Sequence, residues 1–324
     1  MKQLNASTGL HPLVLERLFD RSPYTYKIYP IPKRTGGFRT IAQPARENKI
    51  VQHWLLDNVY AKLPIHQCAT AYRSGASIKH NASIHKESNY LVKLDFRNFF
   101  PSIKRLDLIS LLSAHLSEKY EEDDISRMAT ISSFQPKDLS PLCLSVGGPS
   151  SPLLANAVMF EFDVLVGEWC RANGINYSRY ADDLAFSTNE RGMSSQIEEF
   201  VKESLLRISY PRLELNADKT TFLSKKHRRR VTGLILDNEG SVSLGRSRKR
   251  EISSLINSFS HESLSEEKSS RLQGLLAFAR DIEPLFVLSM NKKYGNDVLE
   301  KIFRYRKNND VSLATFFEKL SNVT

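Results

Sequence analysis

Cysteine is scarce in this chain of 324 residues. Cys68, Cys143 and Cys170 are its only three, far apart and without a CxxC pair. Neither a disulfide framework nor a zinc site is indicated. Long apolar runs are missing too. None approaches the ~18 residues of a membrane span, and the opening MKQLNASTGLHPLVLE has no secretory hydrophobic segment. These absences lead us to expect a soluble, reduced, cytoplasmic protein with no membrane partner. There is no internal repeat and no low-complexity linker. Acid is in deficit, with 36 Asp and Glu against 46 Lys and Arg, a formal net charge of +10. That balance suits nucleic acid, acidic membrane surfaces or phosphate-rich substrates, and alone decides none of them. Hydrophobic residues, at 41%, are too many for a disordered chain. The length predicts two or three subdomains.

Periodicity places the elements. Tyr24 to Ile31 and Phe38 to Ala42 read as two strands joined by KRTGG, whose glycines suit a hairpin turn. Arg46 to Lys62 puts Ile50, Val51, Trp54, Leu55 and Val59 on one helical face. In NYLVKLDF, Tyr90, Val92, Leu94 and Phe96 alternate with Leu91, Lys93 and Asp95, which predicts a strand presenting Asp95 away from its buried face. Pro152 to Val166 reads as a helix after a Gly-Pro-Ser turn, and YSRYADDLAFS as a hairpin. In the tail, Ile252, Leu255, Ile256 and Phe259 repeat at helical spacing behind a basic start, as do Leu272, Leu275, Leu276 and Ala279. Ser263 and Glu266 have capping-box spacing. A small helical domain is expected from about Gly240.

Asp182 and Asp183 stand side by side in the hairpin, and like charges there raise one another's pKa unless a cation offsets them. Should the strand of Asp95 pair beside that hairpin, three carboxylates converge. Such hard oxygen donors are what Mg²⁺ takes when it also binds phosphate, and two such ions can drive an in-line displacement. By spacing alone, a solvated turn with an unrelated strand aspartate is the better reading, because Asp is common in turns.

Three segments in order, DFRNFFPSI at Asp95 to Ile103, GGPSSPLLAN at Gly147 to Asn156 and YADD at Tyr180 to Asp183, resemble motifs A, B and C of reverse transcriptases. NASIH, Asn81 to His85, and VTG, Val231 to Gly233, resemble two elements specific to the bacterial retron type. The resemblance runs from about Lys33 to Gly233. It implies an α+β right-hand polymerase with fingers, a palm of antiparallel sheet packed on helices, and a helical thumb. The implied division is 1–93 mainly fingers interleaved with palm, 94–239 palm with a fingers insertion around 104–150, and 240–324 thumb.

The resemblance further implies RNA-templated DNA synthesis with two Mg²⁺ ions and dNTP substrates. Asp95 and Asp182 would be the main metal ligands, with Asp183 supporting and the carbonyl of Phe96 helping. Phe100 matches the steric gate that leaves no room for a 2′-hydroxyl, while Phe99 reads as core. Gly147 and Gly148 would let the backbone approach a nucleotide, although Val146 stands where the family usually has Gln. Lys33, Arg34 and Arg39 on the fingers hairpin would clamp a triphosphate. Lys219, at the motif D position, would protonate pyrophosphate or be a surface lysine.

Asn81 and His85 would contact structured RNA, unless His85 is a satisfied structural residue. Arg228, Arg229 and Arg230 of the KKHRRR run, together with Val231, Thr232 and Gly233, form a further expected RNA contact. Arg246, Arg248, Lys249 and Arg250 would grip a duplex. The run Glu121 to Asp124 reads as a solvated helix face without a catalytic role.

The leading function is a retron reverse transcriptase. It would prime from a 2′-hydroxyl of its own noncoding RNA, make single-stranded DNA joined to RNA (msDNA), and act in antiphage defence with an effector protein. Alternatives are an intron-derived or template-independent polymerase of the same superfamily, and a non-catalytic RNA-binding scaffold. An RNA polymerase is disfavoured by Phe100 and by YADD in place of GDD. The sequence says nothing of the oligomeric state.

Overall fold

A computed structural model describes residues 4, 6, 7, 9, 11–33, 36–136 and 140–305. Arg34 lies outside the described residues. The chain divides into two compact units, Met1–Thr232 and Gly233–Thr324. The division falls just before the expected entry at Gly240.

In the first unit, α1 (Pro12–Arg21) precedes a long hairpin of β1 (Tyr26–Pro32) and β2 (Phe38–Pro44), paired antiparallel from Tyr26↔Pro44 to Pro32↔Phe38. Its turn closes through the Lys33 N–H, which donates to the Gly37 carbonyl at 2.9 Å. Next come α2 (Arg46–Asn58) and the short α3 (Ile78–Ser83). The helix expected over 46–62 stops at Asn58 and resumes as a 3-10 turn at Tyr60–Lys62.

The central sheet holds β3 (Tyr90–Asp95), β4 (Asn176–Tyr180), β5 (Asp183–Thr188) and β6 (Thr221–Ser224) in the order β4-β5-β3-β6, with every neighbour antiparallel. Between β3 and β4 lie α4 (Phe99–Ser102), α5 (Arg105–Leu116), α6 (Glu122–Ile131), α7 (Ser151–Val158) and α8 (Phe160–Ala172). Between β5 and β6 lies α9 (Met193–Arg207). With α8 against β4 and α9 against β3, this is a split β-α-β-β-α-β layer with insertions, the α+β class expected. The helix expected over 152–166 is two, broken at Met159, whose ψ is 2°. The acids of 121–124 sit at the start of α6, where the helix dipole favours them.

Leu94, Phe96, Phe162 and Phe186 share one core with Ile103, Leu154 and Val201. Phe99 joins it, its ring stacked on Phe96 at 5.6 Å between centroids. The expected face of β3 is buried at Val92, Leu94 and Phe96, yet Leu91 on the other face is buried as well. Asp95 itself is only 4% exposed, so the outward carboxylate predicted by alternation lies beneath neighbouring structure. The unit ends on β7 (Arg229–Val231).

The second unit opens with β8 (Leu234–Leu236) antiparallel to β9 (Val242–Ser243). Then follow α10 (Arg246–Ser260), α11 (Glu266–Ile282), α12 (Pro284–Tyr294) and α13 (Asn296–Phe303). Ile252, Ile256, Leu272, Leu276 and Ala279 are buried, as their spacing predicts. The expected capping box does not form. Ser265 takes the N-cap position, and the Ser263 hydroxyl donates to the Ser258 carbonyl at 3.0 Å.

Candidate active site

The hairpin β4–β5 turns through Ala181 and Asp182, with Tyr180 paired to Asp183. Ala181 has φ 58°, a left-handed conformation costing a non-glycine residue about 1–2 kcal/mol. A buried network holds it there. Arg179, fully buried on β4, bonds both carboxylate oxygens of Asp163 on α8 at 2.6–3.1 Å, and its Nη1 donates to the Ala181 carbonyl at 3.2 Å. The same Nη1 reaches Asn156 Oδ1 at 3.0 Å, and Asn156 Nδ2 donates to the Ala71 carbonyl at 2.8 Å. Ala71 precedes Tyr72, a second left-handed residue (φ 57°) that is 52% exposed. Desolvation raises the Tyr72 phenol pKa, with the charges of Asp182 and Tyr180 adding and Arg39 opposing. Tyr72 and Arg39 therefore stand within electrostatic reach of the hairpin tip.

Register brings the acids together. Asp95 is the antiparallel partner of Asp183, and the Phe96 N–H donates to the Asp182 carbonyl at 3.2 Å. Like charges opposite one another on adjacent strands are unfavourable, and the titrations follow. Burial raises the Asp183 pKa to about 6; Lys93 opposes, while Asp182 and Asp95 add. Asp182 is raised by burial and then by Asp95, with Lys219 and Arg39 opposing.

A cation already answers part of this charge. Lys219, from the 3-10 turn Ala217–Lys219, places Nζ 2.7 and 2.8 Å from the two oxygens of Asp95. That turn is anchored by the Asn216 N–H on the Asp95 carbonyl at 2.7 Å. Burial works against the Lys219 ammonium, but Asp95, Asp182 and Asp183 outweigh it and raise its pKa. Among the described residues no three His, Cys, Asp or Glu side chains form a ready metal cage. The donor chemistry nonetheless fits hard divalent ions: three crowded carboxylates, Asp182 and Asp183 among them raised by desolvation, beside the backbone of Phe96.

The other expected site residues divide. Phe100 is half-buried beside the core and Phe99 wholly within it. Lys33 and Arg39 are exposed. Gly147 is exposed and Gly148 buried, and close packing alone requires glycine at both positions. A Cβ at Gly147 (φ 126°) would come 3.0 Å from the Ala42 carbonyl oxygen, and one at Gly148 2.7 Å from Ser145 Oγ. These glycines serve close packing of the loop against β2 and α7. The Val146 carbonyl adds a backbone link, accepting from the Ala42 N–H at 2.9 Å.

The expected RNA contacts of Asn81 and His85 are corrected. Both are buried: Asn81 Oδ1 accepts from Thr70 and Ser178, and the His85 ring nitrogens bond Ser187 and Ser178, each at 2.8 Å. Burial holds the His85 pKa down at about 3, so the ring is a neutral brace beneath the sheet. Arg229 is corrected likewise, for it is buried and donates to the Ser88 carbonyl. Val231 is buried, and the Thr232 hydroxyl bonds the Ile78 carbonyl at 3.1 Å. Gly233 is half-buried, whereas Arg228 and Arg230 are exposed.

In the second unit, Lys249 pairs with Glu283, and Arg248 lies 5.2 Å from the Phe278 ring, which leaves Arg246 and Arg250 as the exposed cations of that start. Sequence reasoning missed Arg179, Asp163 and Tyr72. A charged residue between the tyrosines of NYSRY and an aspartate inside FEFDVLVGEW were the available signals for the first two.

Comparison with known proteins meets this geometry. Residues 31–236 match the family model "Reverse transcriptase (RNA-dependent DNA polymerase)". The chain belongs to that family, as an RNA-directed DNA polymerase of the retron type. The Escherichia coli Retron Ec83 reverse transcriptase is 41% identical over 86% of this chain and 90% of its own, and the E. coli Retron Ec73 reverse transcriptase 35% identical over the same shares. Among solved structures, a telomerase from Candida albicans aligns at TM-score 0.46 and 13% identity, over 92% of this chain and 57% of that one.

Proposed function

We propose that this retron enzyme copies part of a cognate noncoding RNA into single-stranded DNA, starting from a 2′-hydroxyl of that RNA. The reading places the reaction at Asp95, Asp182 and Asp183. The observation that carries it is the pairing of Asp95 with Asp183 on adjacent strands, one residue from Asp182. Two Mg²⁺ ions held by Asp95, Asp182, Asp183 and the Phe96 carbonyl would activate the primer hydroxyl and stabilise the departing pyrophosphate. Around them, Arg39 and Lys33 bind the triphosphate, the Phe100 ring excludes a 2′-hydroxyl from the incoming sugar, and Lys219 holds the proton that the leaving group takes. The exposed Arg228, Arg230, Arg246 and Arg250 take phosphates of the RNA and the RNA–DNA product. Antiphage defence with an effector protein completes the reading, and its support is the family resemblance alone.

The test is incubation of the purified protein with its flanking transcript, dNTPs and Mg²⁺. The expected product is DNA that stays attached to RNA through a branch, and none with Asp182→Asn. Absence of product from the wild type, or full synthesis by Asp182→Asn, refutes the assignment.

A further inference from the structure

We propose that the cavity bordered by His66, Arg73, His80 and Arg171 docks a single-stranded segment of RNA, one nucleotide inside it and the flanking phosphates on the rim. The cavity measures about 710 Å³ and lies wholly within the first unit. It is set apart from the acids. Its wall includes Asn176 and Tyr177, at the opposite end of β4 from the hairpin tip, with about 13 Å of strand between Asn176 and Tyr180.

Its chemistry is one-sided. No Asp or Glu is among its lining residues. Arg73, His80 and Arg171 are exposed on the rim, and neither arginine forms an ion pair among the described residues. Ala69 and Ile175 supply buried apolar surface within. A cationic rim over a partly apolar hollow suits a phosphate on one side and a base on the other.

The wall is built, not incidental. His66 lies directly against α8, where a Cβ on Gly167 would come 3.1 Å from its Cε1. The Cys68 N–H donates to His66 Nδ1 at 3.3 Å, fixing the ring's edge. Burial lowers the His66 pKa; Asp163 opposes, and Arg171, Arg179 and Arg73 add to the lowering. The ring therefore offers a neutral aromatic face at neutral pH. The buried Asn81 and His85 hold α3, the helix that carries His80 and ends at Ile84 of the lining, onto β4 and β5 through Ser178 and Ser187. A concave hollow of this size also argues against a membrane surface, which needs a flat or convex patch.

The inference rests on the reading of the chain as an RNA-using polymerase, and the experiment separates the two. Binding of a labelled U12 oligoribonucleotide is measured by fluorescence anisotropy across a KCl series, for the wild type, Arg73→Ala/Arg171→Ala, and the charge-matched control Lys62→Ala/Arg191→Ala. The cavity variant should lose about tenfold in affinity and lower the slope of log Kd against log salt by about 1.4, that is ~0.7 per phosphate. The control should change neither by as much, and both should melt like the wild type. A 4-thiouridine transcript should cross-link to peptides spanning 66–76 or 167–177. The proposal is overturned if the cavity variant binds like wild type, if the control loses as much, or if free UMP displaces U12, which would make the hollow a mononucleotide pocket. Extension of oligo(dT) on poly(rA) by the wild type, run separately, tests the polymerase reading without touching this result.

Discussion

Asp183 is held against its own charge. Its pKa, raised from the ordinary value near 4 to about 6 by burial first, means that the folded chain binds a proton more tightly than the unfolded one. Its contribution to stability is therefore full below about pH 4 and is lost as pH rises through 6. Asp183→Asn is expected to stabilise the metal-free protein by roughly 1–3 kcal/mol at pH 7.5, with the gain vanishing near pH 4. Urea titrations in EDTA at both pH values would check it, and destabilisation at pH 7.5 would contradict it.

Lys219 acts in the opposite sense. Lys219→Met removes the cation that meets both Asp95 oxygens. It should lower the melting temperature in EDTA by a few degrees, less than a fully buried pair would, because the lysine side chain is 56% exposed. The deficit should shrink when Mg²⁺ is added, a readout independent of activity. For Phe100, half-buried at α4, replacement by Val is expected to raise ribonucleotide use at least tenfold relative to dNTP. Single-nucleotide kcat/KM values measure it; unchanged discrimination would remove Phe100 from the gate role.

At the scale of elements, the hairpin tip depends on a charge pair it does not contain. Arg179 and Asp163 are both fully buried and bound by three contacts. Asp163→Asn leaves the guanidinium without its counter-charge and should cost about 3–5 kcal/mol, measured by urea unfolding. Because Arg179 also holds the Ala181 carbonyl and, through Asn156, the chain before Tyr72, the same change should loosen the tip before the rest of the sheet. Amide exchange at residues 180–183 would register that. Elements were largely legible in the sequence where one rule governed them. Alternation marked β3, and the i, i+3, i+4 spacing marked α10 and α11. Breaks were not. The chain leaves helical geometry at Val59 (φ −123°) and at Met159 (ψ 2°), and the hydrophobic period encodes neither break. The capping box at Ser263 did not form because the helix begins two residues later, with Ser265 at the N-cap, while the Ser263 hydroxyl donates to the Ser258 carbonyl.

Over the whole molecule, the excess of positive charge is spread on both units. Of the basic residues assigned to nucleic acid from the sequence, Arg228, Arg230, Arg246 and Arg250 are exposed, while Arg229 is buried. Replacing those four exposed arginines by Ala should weaken RNA binding roughly uniformly across sequences and flatten its salt dependence, with melting unchanged. An equally steep salt dependence in the variant would show that other cations carry the contact.

The sequence alone determined the class of chemistry. Motif order and the three aspartates name the reaction, because a polymerase site is written in residue types at recognisable positions, and hydrophobic periodicity placed most of the strands and helices around them. Tertiary structure decided what each polar residue does. Asn81, His85 and Arg229 became interior supports, and Lys219 became the partner of Asp95. Burial and hydrogen-bond partners come from segments distant in the chain, so no local pattern could have specified which of these side chains meets solvent and which meets the protein itself.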